Sequence, residues 1–184
     1  MVHGHEAPRT SRQRILEAAY LVIERDGATG LTLDAVAAEA EVSKGGLLYH
    51  FPSKEALVSA MMVGLCEAFG AAASEAAEAD PEPVGRTVRA YLAASAGEVG
   101  RSRRWLALVG ALALYPELVD IWRADVLAGL VADEEEGIDP AAAAIVRLTA
   151  DGLWLSGVLG LSEVVADVRP QVLKRLEEMS RSRS

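Results

Sequence analysis

The stretch from Thr32 to Leu57, TLDAVAAEAEVSKGGLLYHFPSKEAL, decides how the first third of the chain folds. Thr32 and Ser43 are each placed to cap a helix, with a tight turn at residues 41–42 between the two helices. Ser53 then caps a further helix after a proline. A helix, a turn and a short second helix form the pattern of a helix-turn-helix, whose second helix enters the major groove of DNA.

Two glycines and a tyrosine–histidine pair indicate that the short helix binds something outside the protein. Gly45 and Gly46 each cost about 1 kcal/mol relative to alanine inside a helix, but a glycine there lets the backbone approach base edges or phosphates closely. Tyr49 and His50 follow about one turn later, and Lys54 lies beside the next helix start, where phosphates bind. The alternative is that the glycines form a loop and the aromatic side chains merely pack.

The overall charge argues mildly against a nucleic-acid ligand, because the net charge is −9 and a DNA-binding protein is expected to carry a basic patch. Charge acts only within about 8–10 Å at physiological salt, however. Residues 1–55 hold six Lys and Arg against eight Asp and Glu, whereas residues 56–184 hold twelve against nineteen. Most of the acid therefore lies outside the DNA-binding segment, whose local cations are Arg9, Arg12, Arg14, Lys44 and Lys54.

The composition predicts a soluble, all-α protein of one or two small domains. Hydrophobic residues make up 51% of the 184 residues and aromatic residues only 5%, with alanine and leucine dominant. Cys66 is the only cysteine, so no intrachain disulfide can form, which suits a reducing cytoplasm. The longest fully apolar stretch, 105–115, is shorter than the roughly 20 residues of a membrane span. We therefore expect a cytoplasmic protein without a membrane partner.

Apolar residues recur at helical spacing along the rest of the chain, and no alternating strand pattern occurs. The fourth helix is long enough, at about 40 Å, to leave one domain and enter another. Residues 1–8 are predicted to be a disordered tail. Helices are predicted near residues 11–26, 33–40, 44–49, 54–79, 83–96, 101–114, 116–133, 139–161 and 168–181.

Residues 14–57 resemble the N-terminal domain of TetR-family transcriptional regulators. The run Tyr-His-Phe-x-Ser-Lys-Glu-x-Leu at 49–57, after Val-Ser-x-Gly at 42–45, is highly specific. The resemblance implies phosphate contacts for Thr32, Tyr49 and Lys54, base contacts for Lys44, Gly45 and His50, and a DNA-facing Ser43. It also implies that the core of the three-helix unit is formed by Ile15, Ala19, Val36, Ala37, Val42, Leu48 and Phe51.

The chain departs from the family pattern at Glu41, where the family usually has a glycine in the turn. We expect this residue to adopt a positive φ at modest cost. It also places an acid near the DNA. By the same resemblance, residues 9–55 form the helix-turn-helix domain, with its reader at about 32–51, and residues 56–184 form an effector-binding and dimerisation domain.

Aromatic and apolar residues of the later helices predict a lipophilic cavity, since ligand pockets are mostly apolar. The resemblance implies a small-molecule effector site between the fourth helix and its neighbours. The alternative is plain core packing. The candidate lining residues are Met62, Leu65, Phe69, Tyr91, Trp105, Leu108, Leu112, Tyr115, Trp122 and Trp154.

Gly152, Ser156 and Gly160 stand four residues apart on one helix, a spacing that lets another helix approach closely. With Val172 and Leu176 on the last helix, they predict a two-fold four-helix interface, and the resemblance also implies a homodimer. The alternative is that the same stripe packs within one subunit. A two-fold dimer would bind a pseudopalindromic operator in double-stranded DNA.

The leading hypothesis is a repressor that a small molecule releases from its operator, and the alternative is a DNA-binding architectural or cell-cycle factor without an effector. An enzyme is not expected, because no Gly-rich phosphate loop, metal-ligand spacing or nucleophile motif occurs. Asp151 and Glu163 are interpreted as carboxylates on the helix surface. No cofactor and no metal are expected.

Overall fold

A computed structural model describes residues 10–100, 102–161, 163 and 166–181. Within these ranges the chain is all-α, as predicted, and no β-strand occurs. The tail predicted at residues 1–8, and Arg9, lie outside the described residues. The helices are α1 (Ser11–Gly30), α2 (Leu33–Glu39), α3 (Lys44–His50), α4 (Lys54–Ala79), α5 (Arg86–Ala96), α6 (Arg103–Ala111), α7 (Glu117–Glu135), α8 (Pro140–Val158) and α9 (Arg169–Met179).

Side-chain caps fix where most of the N-terminal helices begin. At α1 the Gln13 N–H donates to Thr10 Oγ1 at 3.2 Å, and the Thr10 N–H donates to Gln13 Oε1 at 2.8 Å, which is a reciprocal capping box. The bounds of α4 agree with the sequence prediction. Five further starts among the described helices are capped by the side chains of Thr32, Ser43, Ser53, Ser102 and Asp139.

Two glycines explain why other helix ends differ from the prediction. Gly27 has a φ of 72°, which kinks α1 without ending it, and the chain stays helical for one more turn to Gly30. Gly85 has a φ of 70°, and a Cβ added to it would lie 1.9 Å from the Ser180 carbonyl oxygen. The end of α9 therefore packs directly on the Gly85 backbone, and α5 begins at Arg86 instead of Pro83.

Two hydrophobic cores hold the helices together. The first core joins α1–α4 to α6 and the start of α7, so it crosses the domain boundary that was predicted near residue 55. The second core joins α5, α8 and α9. Six of the seven predicted core residues of the three-helix unit pack in the first core, but Leu48 is 37% exposed and Leu47 is fully buried in its place.

Two described helices, Lys54–Ala79 and Pro140–Val158, are long and apolar enough to span a membrane by length and composition alone. Core helices of soluble proteins meet the same criterion. Here α4 packs against α5 and α7, and α8 packs against α5.

Candidate DNA interface and candidate ligand cavity

The N-terminal half of α3 and the turn before it form an exposed polar surface. Ser43, Lys44 and Gly45 are exposed, and the Tyr49 side chain is 85% exposed. An aromatic side chain that projects so far into solvent is not part of the core, which excludes the packing alternative for Tyr49. The ring of His50 lies edge-on to Tyr49, with 5.2 Å between the ring centroids.

The fold places no internal demand for glycine on Gly45. A Cβ added at Gly45 would have the Ser43 Oγ as its nearest neighbour, at 4.0 Å. A Cβ added at Gly46 would lie 3.2 Å from the Ser43 Oγ. Gly45 is also not among the glycines that have a positive φ. No packing contact or backbone strain within the fold therefore accounts for the cost of this glycine to the helix, which agrees with the predicted close approach of DNA.

The two predicted hydroxyl contacts with DNA also act as helix caps. The Ala35 N–H donates to Thr32 Oγ1 at 3.1 Å, and the Gly46 N–H donates to Ser43 Oγ at 3.0 Å. A capping hydroxyl accepts one hydrogen bond and keeps its own O–H as a donor. Both hydroxyls therefore remain able to donate to a phosphate oxygen from the helix start.

Both predicted lysine contacts have partners inside the protein. The Lys44 Nζ lies 2.8 Å from the Asp34 Oδ1, in an ion pair exposed on both sides. The Lys54 Nζ lies 5.6 Å from the centre of the Tyr115 ring, just after α6. DNA would therefore have to compete with Asp34 for Lys44, and Lys54 links the predicted DNA surface to the α6–α7 turn.

Glu41 has a φ of 54°, as the sequence predicted, and it is the only non-glycine residue with a positive φ in the part of the chain that the structure describes. Its side chain is exposed beside the start of α3. The turn thus carries both a backbone cost and a negative charge near the DNA-facing surface.

A cavity of about 330 Å³ lies between α4, α5, α6, α7 and α8. Five of the ten predicted lining residues line it: Phe69, Tyr91, Trp105, Trp122 and Trp154. The rings form one contact chain, with centroids 5.2 Å apart for Phe69 and Tyr91 and 5.6 Å apart for Trp122 and Trp154. The volume falls at the lower end of the range for small-molecule sites.

The other five predicted lining residues do not line this cavity and belong to the first core. Met62, Leu65 and Leu108 are at most 4% exposed. They lie on the helix faces that point toward the N-terminal helices, because the apolar stripes of α4 and α6 are wider than the wall of the cavity. The corrected residues are Met62, Leu65, Leu108, Leu112 and Tyr115.

The sequence interpretation missed the polar groups of the cavity, above all Asp151. This carboxylate is not on the helix surface as expected, because it lines the cavity and accepts a hydrogen bond from the Tyr91 hydroxyl. Burial raises the pKa of Asp151, against the lowering effect of the Tyr91 hydrogen bond and of the Arg147 charge. Its spacing of four residues from Arg147 and three from Trp154 was the available signal.

A buried ion pair closes one side of the cavity. The Arg147 Nε lies 2.5 Å from the Asp133 Oδ2, and both side chains are less than 10% exposed. The Arg147 guanidinium also lies over the Tyr91 ring, 4.6 Å from its centre. Cys66 also lines the cavity, and burial raises the pKa of its thiol to about 12, with the neighbouring Asp125 carboxylate adding to the shift, so this thiol stays neutral.

Helix α6 joins the cavity wall to α1. Trp105 lines the cavity, and the preceding Arg104 places its Nη2 2.6 Å from the Glu17 Oε2. The Arg104 guanidinium also lies 4.4 Å from the centre of the Tyr20 ring. The Tyr20 hydroxyl in turn donates to the Met61 carbonyl oxygen on α4 at 2.5 Å. Two adjacent residues thus contact the cavity and the N-terminal helices.

Comparison with protein-family models gives matches along both parts of the chain. Residues 15–61 match the bacterial regulatory proteins of the tetR family, and residues 85–181 match the tetracyclin repressor-like C-terminal domain. The chain belongs to the TetR family of transcriptional regulators. Its N-terminal part is the family's DNA-binding domain, and its C-terminal part is the ligand-binding domain.

Individual TetR-family proteins resemble the chain over most of its length. The HTH-type transcriptional regulator BetI of Paraburkholderia xenovorans (strain LB400) is 32% identical over 162 residues, which cover 80% of this chain and 82% of BetI. The multidrug binding protein EbrR, solved in complex with malachite green, is 26% identical with a TM-score of 0.64, over 90% of this chain and 96% of EbrR. A TetR-family regulator from Rhodococcus sp. has the same fold, with a TM-score of 0.73 at 21% identity over 92% of this chain and 98% of that one.

In this TetR-family chain, α8 carries an exposed apolar face. Leu148 is 72% exposed and Ile145 is 47% exposed, and Gly152 continues the same stripe toward Leu155 and Leu159. Leu127 and Val131 of α7 are also more than half exposed. Side chains of this kind cost free energy in water, so the face is suited to cover by another subunit.

Three of the predicted interface residues take other roles in the TetR-family fold. Leu176 is only 3% exposed, because α9 turns it into the second core, and Val172 packs against the same core. Gly160 lies beyond the end of α8 with a φ of 72°, so it ends the helix instead of extending its small-residue stripe. Of the original set, Gly152 and Ser156 remain on α8 within the candidate interface.

Proposed function

We propose that the protein is a homodimeric cytoplasmic repressor that binds a pseudopalindromic operator and is released by a small lipophilic effector in the cavity. One observation carries the proposal: α4 holds both Lys54 and the cavity wall at Phe69. These two positions are separated by about 22 Å along one continuous helix, at 1.5 Å per residue. A displacement of the wall is therefore transmitted directly to a predicted phosphate contact.

A second connection through α6 supports the same coupling. Trp105 faces the cavity while Arg104 holds α1 through Glu17, so a shift of α6 would act on the N-terminal helices as well. The effector must bind the conformation that is incompetent for DNA more tightly than the competent one, since only differential affinity moves the equilibrium.

The similar proteins support a small organic effector. EbrR is named as a multidrug binding protein and was solved with malachite green and, separately, with imidazole. The family's regulatory character and the aromatic lining of the cavity agree with an effector that binds largely through apolar contacts.

The operator can be obtained by selecting duplexes from a random pool with the purified full chain. Gel mobility shift with the selected duplex then gives the affinity in the presence of increasing concentrations of small molecules that bind the protein. We expect a two-fold sequence and loss of DNA binding on saturation of the cavity.

The matched variant for this test is Trp122→Ala, which changes the cavity wall at a residue that is not itself a member of the first core, although its ring contacts Trp105 and Trp154. We expect it to bind the operator normally and to lose the response to the effector. Unchanged operator affinity in the presence of every molecule that fills the cavity would instead support the effector-independent DNA-binding factor.

A further inference from the structure

Five of the nine aromatic residues of the sequence line the cavity. Trp105, Trp122 and Trp154 contact one another with centroid separations of 5.6 to 6.3 Å, and Phe69 extends the cluster from Trp105 to Tyr91. The rings meet edge-on or tilted, at interplanar angles of 41° to 88°, so the planes of the aromatic groups around the cavity have different orientations. The face of an aromatic ring carries negative electrostatic potential and attracts organic cations, indole most strongly.

The same cavity contains more negative than positive groups. Asp125 and Asp151 both line it, and Arg147 is the only Lys or Arg side chain among the described lining residues. Arg147 is already paired with Asp133, 2.5 Å away behind the wall. The charge of Arg147 is therefore matched, and the Asp125 and Asp151 carboxylates remain without a cation of their own in the cavity.

The surroundings of Asp151 agree with this imbalance. Burial raises the pKa of this carboxyl group even though Tyr91 donates to it and Arg147 lies nearby. A carboxylate that is partly removed from water is costly to ionise unless a positive charge approaches it. A bound cation would supply that charge.

We infer that the cavity binds a monovalent aromatic organic cation, such as an aryl quaternary ammonium ion. The aromatic faces of the three tryptophans surround the cationic centre, and Asp151 and Asp125 provide the opposite charge. The inference rests on the proposed function in placing the effector in this cavity, and it adds the chemical class of that effector. The cavity volume of about 330 Å³ accommodates one aromatic ring with a substituted ammonium group.

Two hydrogen-bond donors in the same region favour a different class of ligand, an anion. The Trp105 Nε1 and the Arg147 Nη2 are buried and have no hydrogen-bond partner among the described residues. If these donors selected the ligand, the cavity would prefer an anion. An experiment must therefore compare cation, neutral molecule and anion of the same shape.

Three ligands provide that comparison: phenyltrimethylammonium, its uncharged isostere tert-butylbenzene, and the anion benzenesulfonate. All three tryptophans of the chain line the cavity, so intrinsic fluorescence of the full-length protein reports its occupation without DNA. We expect saturable binding of the cation, about tenfold or more tighter than the neutral isostere, and no binding of the anion at the same concentrations. Equal or tighter binding of either other ligand, or no saturable binding of the cation, would overturn the inference.

Two charge-removing variants assign the effect to the carboxylates. Asp151→Asn and, independently, Asp125→Asn should each weaken cation binding about fivefold or more and leave tert-butylbenzene binding unchanged. Asp120→Asn is the matched control, because Asp120 lies on α7 like Asp125 but is exposed and paired with Arg123. Thermal unfolding checks that each variant is folded, and Asp125→Asn keeps the test valid should the loss of the Tyr91 partner unfold Asp151→Asn.

A mobility shift with the selected operator separates the two proposals. If a neutral or anionic molecule releases the operator and the cation gives no fluorescence response, the proposed repressor function is supported and the cationic class of the effector is refuted. Tight cation binding in the cavity without any change in operator affinity would support the ligand class and refute the regulatory coupling.

Discussion

Tyr49 on α3 and Lys54 at the start of α4 are the single side chains that we predict to contact DNA. Tyr49 is 85% exposed, and no contact inside the fold accounts for that position. Lys54 touches only the face of the Tyr115 ring among the interactions described for it. Both side chains are therefore free to be replaced with little loss of stability, which makes them suitable for a direct test.

Tyr49→Ala and Lys54→Ala should each weaken operator binding by at least about 1–3 kcal/mol. Even an ordinary hydrogen bond contributes about 0.5–1.5 kcal/mol, a bond to a charged group contributes more, and a dimer loses the bond twice. Mobility-shift titration measures the affinity, and thermal unfolding and sedimentation check fold and assembly. Lys174→Ala, an exposed lysine of α9, is the control. Unchanged affinity for both variants would remove these residues from the DNA interface.

Glu41→Gly should strengthen operator binding and change stability only slightly. Glycine relieves a left-handed conformation that costs about 1–2 kcal/mol but restores about 0.5–1 kcal/mol of freedom to the unfolded chain. Removing the carboxylate also reduces repulsion from phosphates. Glu41→Gln separates the charge from the backbone conformation, since it removes the carboxylate and keeps a side chain at the positive φ, so it should share the gain in affinity. If neither variant binds DNA more tightly, Glu41 does not face the phosphates.

At the scale of elements, α8 presents the face that we propose as the subunit interface. Leu148 is 72% exposed on this face, whereas the apolar residues of α9 are turned inward. The interface is therefore expected to centre on α8, with α7 at its margin, instead of on α8 and α9 equally.

Leu148→Glu should convert the dimer into monomers, because a two-fold interface would bring two buried carboxylates together without partners. Sedimentation velocity measures the assembly state, and operator affinity should fall with it, since each monomer keeps only one half-site. Leu21→Glu, on the exposed side of α1, should remain dimeric. A dimeric Leu148→Glu would place the interface elsewhere.

At the scale of the whole molecule, the net charge of −9 opposes approach to DNA while a few local cations support it. Lys54, the lysine predicted to contact phosphate, occurs twice in a dimer. Each neutralised phosphate contributes about −0.9 to the slope of log affinity against log salt concentration. These two contacts should therefore lower operator affinity roughly tenfold between 50 and 200 mM salt. Lys54→Ala should reduce the slope by about 2, and a flat response of the unsubstituted protein would exclude lysine–phosphate contacts.

Local features could be predicted from the sequence, and features that depend on distant residues could not. The caps at Thr32, Ser43 and Ser53 act within three residues, so the helix starts followed from the sequence. The position of Asp151 in the cavity wall depends on a hydrogen bond from Tyr91, which lies 60 positions earlier in the chain. Likewise, whether Leu47 or Leu48 is buried depends on a difference of one position in the orientation of a two-turn helix, which periodicity cannot resolve.

Lys44 and Lys54, the lysines predicted to contact DNA, have partners within the protein that should affect how it searches a genome. Lys44 is held by Asp34 and Lys54 by Tyr115 before any DNA arrives. A random duplex offers phosphates to Lys54 but not the specific base contact that would replace the Asp34 partner of Lys44. We therefore expect short residence on unrelated DNA and little one-dimensional sliding. The protein would find its operator mainly by repeated three-dimensional encounters, with most copies free in solution at any moment.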